Sequence, residues 1–132
     1  MTPSTLSRKE AAMENHVIVR PEHLNHHGHL FGGQMLKWVD EYAWLAASLD
    51  FRHCRLVTIA MDDIVFKHPA PVGSILRFHV EKTHQGTTSV NYGVEVFCDA
   101  PGDIEARSIF STTVTLVHVD DQGNKTSLPA AK

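Results

Sequence analysis

Asn25 to Asp50 reads NHHGHLFGGQMLKWVDEYAWLAASLD, and this stretch decides the fold. Two adjacent glycines, Gly32 and Gly33, open a run whose apolar residues recur at helical spacing. At about 100° per residue, Phe31, Met35, Trp38, Tyr42, Leu45 and Leu49 fall on one face. A second apolar arc holds Leu36, Ala43, Trp44 and Ala47. Only a narrow strip of Gln34, Lys37, Glu41 and Ser48 is left for water. The spacing predicts a helix from about Phe31 to Leu49, covered on most of its sides.

Asp40 falls in the second arc, among Leu36, Ala43, Trp44 and Ala47. A carboxylate in such company is costly unless it is paired or has a task. The residues alone leave two readings open. Asp40 is either a structural side chain satisfied by a backbone or hydroxyl donor, or a catalytic carboxylate.

Working outward, HVIVR (residues 16–20) is a strand candidate ended by Pro21, and a polar, histidine-rich loop follows. After the helix, LVTIAMDDIVF (56–66) reads as a strand interrupted near Asp62-Asp63, where a bulge or an edge position is expected. KHPAPVG (67–73) is a turn with two prolines. Residues 74–84 and 88–99 alternate apolar and polar, joined by the hairpin signal Gln85-Gly86-Thr87. Ile104 to Val119 is rich in Thr and Val, and long enough for a bent strand. Strands that run together after a single helix give an α+β fold with an antiparallel sheet. Such a sheet covers one face of the helix, and no second helix is available for the other arc. A second copy of the chain is therefore expected to cover it, with Asp40 close to the interface.

The chain has 132 residues and reads as one domain over 15–129, with an N-terminal arm at 1–14 and a tail at 130–132. With 42% hydrophobic and 20% charged residues the composition is that of a globular protein. A formal net charge of −3 argues against a general nucleic-acid binder, and no basic amphipathic helix suggests a membrane surface. Cys54 and Cys98 are read as reduced thiols. The polar start lacks the apolar core of a signal peptide, so a cytoplasmic location is expected. Histidines at 23, 26, 27 and 29 fit no standard zinc spacing, and no metal is expected.

Four stretches carry a resemblance to a known family. They are Asn25-x-x-Gly28-x-Leu30-Phe31-Gly32-Gly33 running on to Asp40; Val57-Thr58 followed by Phe66 and Pro69; Val72-Gly73; and Gln85 to Ser89. Val119-Asp120-x-x-Gly123 and Leu128-Pro129 fit as well. Together they resemble the hot-dog-fold acyl-CoA thioesterases of the brain-type and bacterial acyl-CoA hydrolase group. The resemblance implies a five-stranded antiparallel sheet curled round one long helix. It also implies a homodimer at least, with trimers of dimers among the family's assemblies, and active sites between subunits. It further implies hydrolysis of fatty acyl-CoA to fatty acid and CoA without a cofactor, CoA being part of substrate and product.

Carried over residue by residue, the catalytic candidates are Asp40, Gly32, Gly33, Asn25, His29 and Thr58. Asp40 serves either as general base or as nucleophile, while the glycine backbone at the helix start would hold the carbonyl oxygen. His29 is a departure, because family members often carry Asn or Asp there. A histidine at that place either orients water or acts as acid and base, or is merely tolerated. Arg55, Lys67, His68, Lys82 and the hairpin Gly86, Thr87, Thr88 and Ser89 are candidates for holding CoA. Two rival functions share the fold. One is a thioester hydratase or dehydratase, of which His68-Pro69 is a faint echo. The other is a non-catalytic acyl-CoA sensor, for which the short polar N-terminal arm offers no output module.

Overall fold

The structure is a computed structural model and describes residues 12–130. The elements run β1 (Met13–Ile18), a short 3-10 turn (Pro21–His23), α1 (Gly32–Asp50), β2 (Arg55–Phe66), β3 (Ile75–Gln85), β4 (Ser89–Asp99) and β5 (Arg107–Val119). One five-stranded sheet in the order β1-β3-β4-β5-β2 is antiparallel throughout and packs against α1. Strand β1 takes in Met13 and Glu14, which the sequence assigns to the arm. The alternation is real there, but Glu14 points outward to Arg77 and His79 of β3 and so disguises it. The rest of the expected arm, residues 1–11, lies outside the described residues.

Strict alternation along β3 and β4 puts Leu76, Phe78, Val80, Val90, Tyr92, Val94, Val96 and Cys98 on the helix side, all buried. From β5 come Phe110, Val114 and Leu116. The helix answers with Met35, Trp38, Val39, Ala43, Ala46 and Ala47. This contact surface differs from the expected one. Phe31 and Leu49 are exposed, because they sit at the two ends of the helix, beyond the sheet. Ala43 and Ala47, expected on the far arc, lie under the sheet instead. Small residues there let the helix axis approach the strands closely, and the strip opposite carries Lys37, Asp40 and Trp44.

At the end of the helix the Tyr92 hydroxyl donates to the Asp50 carboxylate at 2.7 Å. A carboxylate at a helix C-terminus opposes the macrodipole, and this hydrogen bond offsets part of that cost. Burial, and then the Asp50 carboxylate, push the Tyr92 phenol far above its ordinary pKa, so it stays protonated as the donor.

Strand β2 forms one edge of the sheet, and two register shifts break its pairing with β5, between Thr58 and Ala60 and between Asp62 and Val65. Asp63 adopts a left-handed conformation at φ 55° within the second shift. Both the edge position and the interruption expected at Asp62-Asp63 are found. Ile59 is 53% exposed and Phe66 54%, with Val57, Ile64 and Val65 nearly as open. An apolar edge strand of this length is a template for pairing with another chain.

Candidate active site

Two places on the chain hold the candidate catalytic groups, and the first is the start of α1. Asn25 organises the loop that leads into it. Its side-chain Oδ1 accepts from the backbone N–H of His27 at 2.9 Å and of His29 at 3.2 Å. Gly28 turns the chain at φ +83° and donates its N–H to the Asn25 carbonyl. Leu30 N–H then bonds the Ala70 carbonyl and Phe31 N–H the His23 carbonyl, which fixes where the helix begins. The Asn25 Nδ2 has no partner among the described residues, so Asn25 is a loop organiser with its amide free. His29 is exposed beside Pro71, with which it forms an isolated bridge.

The helix opens without a side-chain cap, and its first turn carries no acidic residue. Among the described residues the N–H groups of Gly32 and Gly33 donate to no acceptor. Free N–H groups at the positive end of a helix suit a negatively charged oxygen. Beside them lies a cavity of about 310 Å³ lined by Leu30, Met35, Phe66, Lys67, His68, Pro69, Ala70 and Ile109. A side chain on Gly32 would meet the Phe66 ring at 3.5 Å, so the glycine leaves that approach open.

The second place lies further along the same face of the helix. Asp40 is half-buried, and its Oδ1 accepts the Thr58 hydroxyl of β2 at 2.7 Å. Its Oδ2 has no partner among the described residues. The carboxylate opens on a depression of about 560 Å³ lined by Lys37, Asp40, Glu41, Trp44, Leu56, Val57 and Thr58. The hydroxyl donor allowed for in the structural reading of Asp40 is therefore present, yet it satisfies one oxygen only. Gly33 and Asp40 share a helix stripe seven residues apart, roughly 10 Å along the axis. One carbonyl cannot touch both on the same chain.

The candidate CoA-binding residues do not form one cluster. Lys67 and His68 border the cavity at the helix start. Lys67 donates to Ser108 Oγ at 2.8 Å and lies 3.6 Å from the Glu95 carboxylate. Arg55 begins β2 next to Leu56, close to the Asp40 depression. Lys82 turns toward Gln85 and the Phe51 ring at the far end of the helix, away from both. The expected hairpin is present, closed by Gly86 N–H to the Ser89 carbonyl at 2.8 Å. The Thr87 and Thr88 carbonyls accept from Leu128 and His118, tying down the C-terminal segment. Lys37 and Leu56 border the same depression and carry no sequence signal as site residues, while Val57 enters only within the Val57-Thr58 stretch. Only the fold brings β2 against that stripe of the helix.

A family profile described as Thioesterase superfamily matches residues 27–105. The chain belongs to the thioesterase superfamily. Its sheet and single long helix are the hot-dog fold of that superfamily, as the resemblance implied. Among curated members, it is 32% identical over 131 residues to an acetyl-coenzyme A thioesterase of Rattus norvegicus, covering 97% of this chain. It spans 23% of the length of that rat protein and 13% of a mouse acyl-coenzyme A thioesterase 11. Among solved structures, an acyl-CoA hydrolase from Staphylococcus aureus in complex with butyryl coenzyme A and coenzyme A superposes with a TM-score of 0.82 at 26% identity. That superposition covers 93% of this chain and 74% of the other. Structures of the same S. aureus hydrolase exist with an asparagine, a threonine or an aspartate replaced by alanine. An apo-hexameric acyl-CoA thioesterase superposes with a TM-score of 0.84 at 30% identity, covering 94% and 79% of the two chains. Among the described residues no helix is long and apolar enough to cross a membrane.

Proposed function

We propose that this thioesterase-superfamily chain hydrolyses acyl-CoA to a free carboxylic acid and CoA, in sites built by two copies of the chain. The observation that carries the reading is the state of Asp40. One oxygen is held by Thr58, the other faces an open depression, and the nearest free glycine N–H groups of the same chain are a helix stretch away. Pairing two copies along the apolar β2 edge would bring the helix start of one chain toward the carboxylate of the other. The thioester carbonyl then lies between Asp40 and the N–H groups of Gly32 and Gly33 of the partner subunit.

In that arrangement Asp40 Oδ2 takes a proton from a water molecule, and the oxygen of that water attacks the carbonyl carbon. The carbonyl oxygen becomes an oxyanion, which the glycine N–H groups and the helix dipole stabilise. One such donor can contribute about 2.7–4 kcal/mol. The intermediate collapses by breaking the C–S bond, and the proton on Asp40 returns to the departing thiolate. Water is the only co-reactant, and no cofactor is called for.

Lys67 and His68, at the helix start, would meet the anionic part of CoA, whereas Arg55 and the Gly86 to Ser89 hairpin lie toward the opposite end of β2 and are weaker candidates. Lys82 is the weakest member of that group, since it is engaged at the opposite end of the helix. His29 is exposed and the Asn25 amide has no partner among the described residues, so both would order water rather than touch the reacting atoms. The asparagine, threonine and aspartate replaced in the S. aureus hydrolase are the residue types of Asn25, Thr58 and Asp40, which supports this choice. Cys54 and Cys98 are free, and burial raises both thiols, so neither is primed as a nucleophile. Free thiols suit a reducing compartment, and we place the protein in the cytoplasm on that ground.

The reading is tested by following release of free CoA thiol from acyl-CoAs of graded length. Turnover with wild-type protein is expected, and no hydrolysis of any member would sink the reading. Thr58→Val keeps the shape of the side chain but removes the donor that fixes the carboxylate. With the base left to rotate, kcat is expected to fall about tenfold while KM changes little. An unchanged kcat would make Thr58 a bystander.

A further inference from the structure

The depression around Asp40 holds Lys37 and Glu41 on the helix, and its apolar lining is Trp44, Leu56 and Val57. Lys37 stands one turn before Asp40 on the helix, and Trp44 one turn after it. At 1.5 Å rise per residue these lie roughly 4.5 and 6 Å from the carboxylate position along the axis. Leu56 and Val57 of β2 complete the Trp44 side. A CoA thioester carries hydrocarbon on the acyl side of its carbonyl, and on the thiol side a long pantetheine arm before the phosphates. The acyl chain belongs against that apolar lining and runs toward Trp44.

The indole is tied to the edge strand. Although 46% exposed, Trp44 donates its Nε1–H to the Leu56 carbonyl at 3.2 Å. That bond bridges helix and edge strand and holds the ring in the lining of the depression. A ring held one helical turn beyond the reacting carbon leaves room for only a few methylenes.

Resting on the hydrolase reading above, we propose that Trp44 is the specificity-determining wall of the acyl site. It restricts the enzyme to short-chain acyl-CoA, and opening it admits longer chains. Trp44 touches the acyl end and not the reacting atoms, so its removal changes which substrate is used rather than whether hydrolysis occurs.

The test compares kcat/KM for butyryl-CoA and decanoyl-CoA in wild type, Trp44→Ala and Trp44→Phe. Wild type is expected to favour butyryl-CoA. Trp44→Ala should raise the decanoyl-to-butyryl ratio about tenfold or more, since each methylene in an apolar pocket is worth at least that order of discrimination. Trp44→Phe keeps a ring but loses the N–H that pins it, and should give a smaller rise in the same direction. A half-exposed side chain makes both variants compatible with the fold, and the Phe variant stands if the Ala variant does not. A wild-type preference for decanoyl-CoA, or one ratio shared by all three proteins, would overturn the proposal. Dissociation constants for the non-hydrolysable thioether analogues of the two substrates supply a second readout. Short-chain preference in binding, lost in Trp44→Ala, with no hydrolysis by wild type would keep the wall and refute the hydrolase.

Discussion

Asp40→Asn is expected to lower kcat at least ~100-fold on every acyl-CoA the wild type cleaves, with helix content and assembly unchanged. The substitution is close to isosteric. An amide oxygen at the Oδ1 position still accepts the Thr58 hydroxyl, so the helix-to-β2 contact of 2.7 Å survives. What is lost is the unpaired carboxylate oxygen beside the Thr58-held one, the group proposed to take a proton from water. KM should move far less than kcat, because the acyl and CoA contacts are left in place. The expected effect also exceeds that of Thr58→Val, which only loosens the base. Thiol-release kinetics beside circular dichroism and sedimentation would decide the matter. A folded, assembled Asp40→Asn protein turning over at the wild-type rate would remove Asp40 from the mechanism.

The candidate site is picked out in the sequence by the family resemblance, and helical periodicity, being local, adds how its helix residues lie. Gly33 and Asp40 are seven residues apart, so they share a stripe whatever the helix packs against. The interruption of β2 was legible for a similar reason, since adjacent Asp62 and Asp63 cannot both sit comfortably in a regular apolar strand. The facing of the helix was less so. Val39 falls between the two apolar arcs and proves wholly buried, because the line of closest approach is set by the curvature of the sheet and by the alanines at 43, 46 and 47.

Contacts between distant segments were out of reach altogether. The Thr58–Asp40 hydrogen bond spans 18 residues and the Trp44–Leu56 bond 12, and neither leaves a periodic trace. Lys82 looked like a phosphate ligand by its position near a turn, but strand register turns it toward Gln85 and Phe51. The start of β1 was hidden by Glu14, whose partners Arg77 and His79 lie on a strand more than sixty residues away in the chain. Those two groups hold the Glu14 carboxyl below its usual pKa, first through the His79 hydrogen bond.

A mixture of two inactive proteins is expected to recover activity, because on the proposed reading each active site draws on two chains. Gly33→Val should by itself cost about 100-fold, since the added side chain and the Phe31 ring it displaces would crowd the free N–H groups at the helix start. Its first carbon would lie 2.5 Å from the Phe31 ring, which is exposed and free to swing aside, so the fold is kept. Asp40→Asn leaves the helix start untouched. In a dimer with one chain of each kind, one site joins the intact Asp40 of the Gly33→Val chain to the intact glycines of the Asp40→Asn chain. The other site carries both defects. With random pairing half the dimers are mixed and each holds one good site, so co-expressed chains should reach about a quarter of wild-type activity. If Asp40 and the glycines of the same chain acted together, every site would carry one defect or the other, and the mixture would stay as inactive as its parents. The roughly 10 Å of helix between Gly33 and Asp40 argues for the first outcome. The apolar β2 edge supplies the surface along which the two chains would meet.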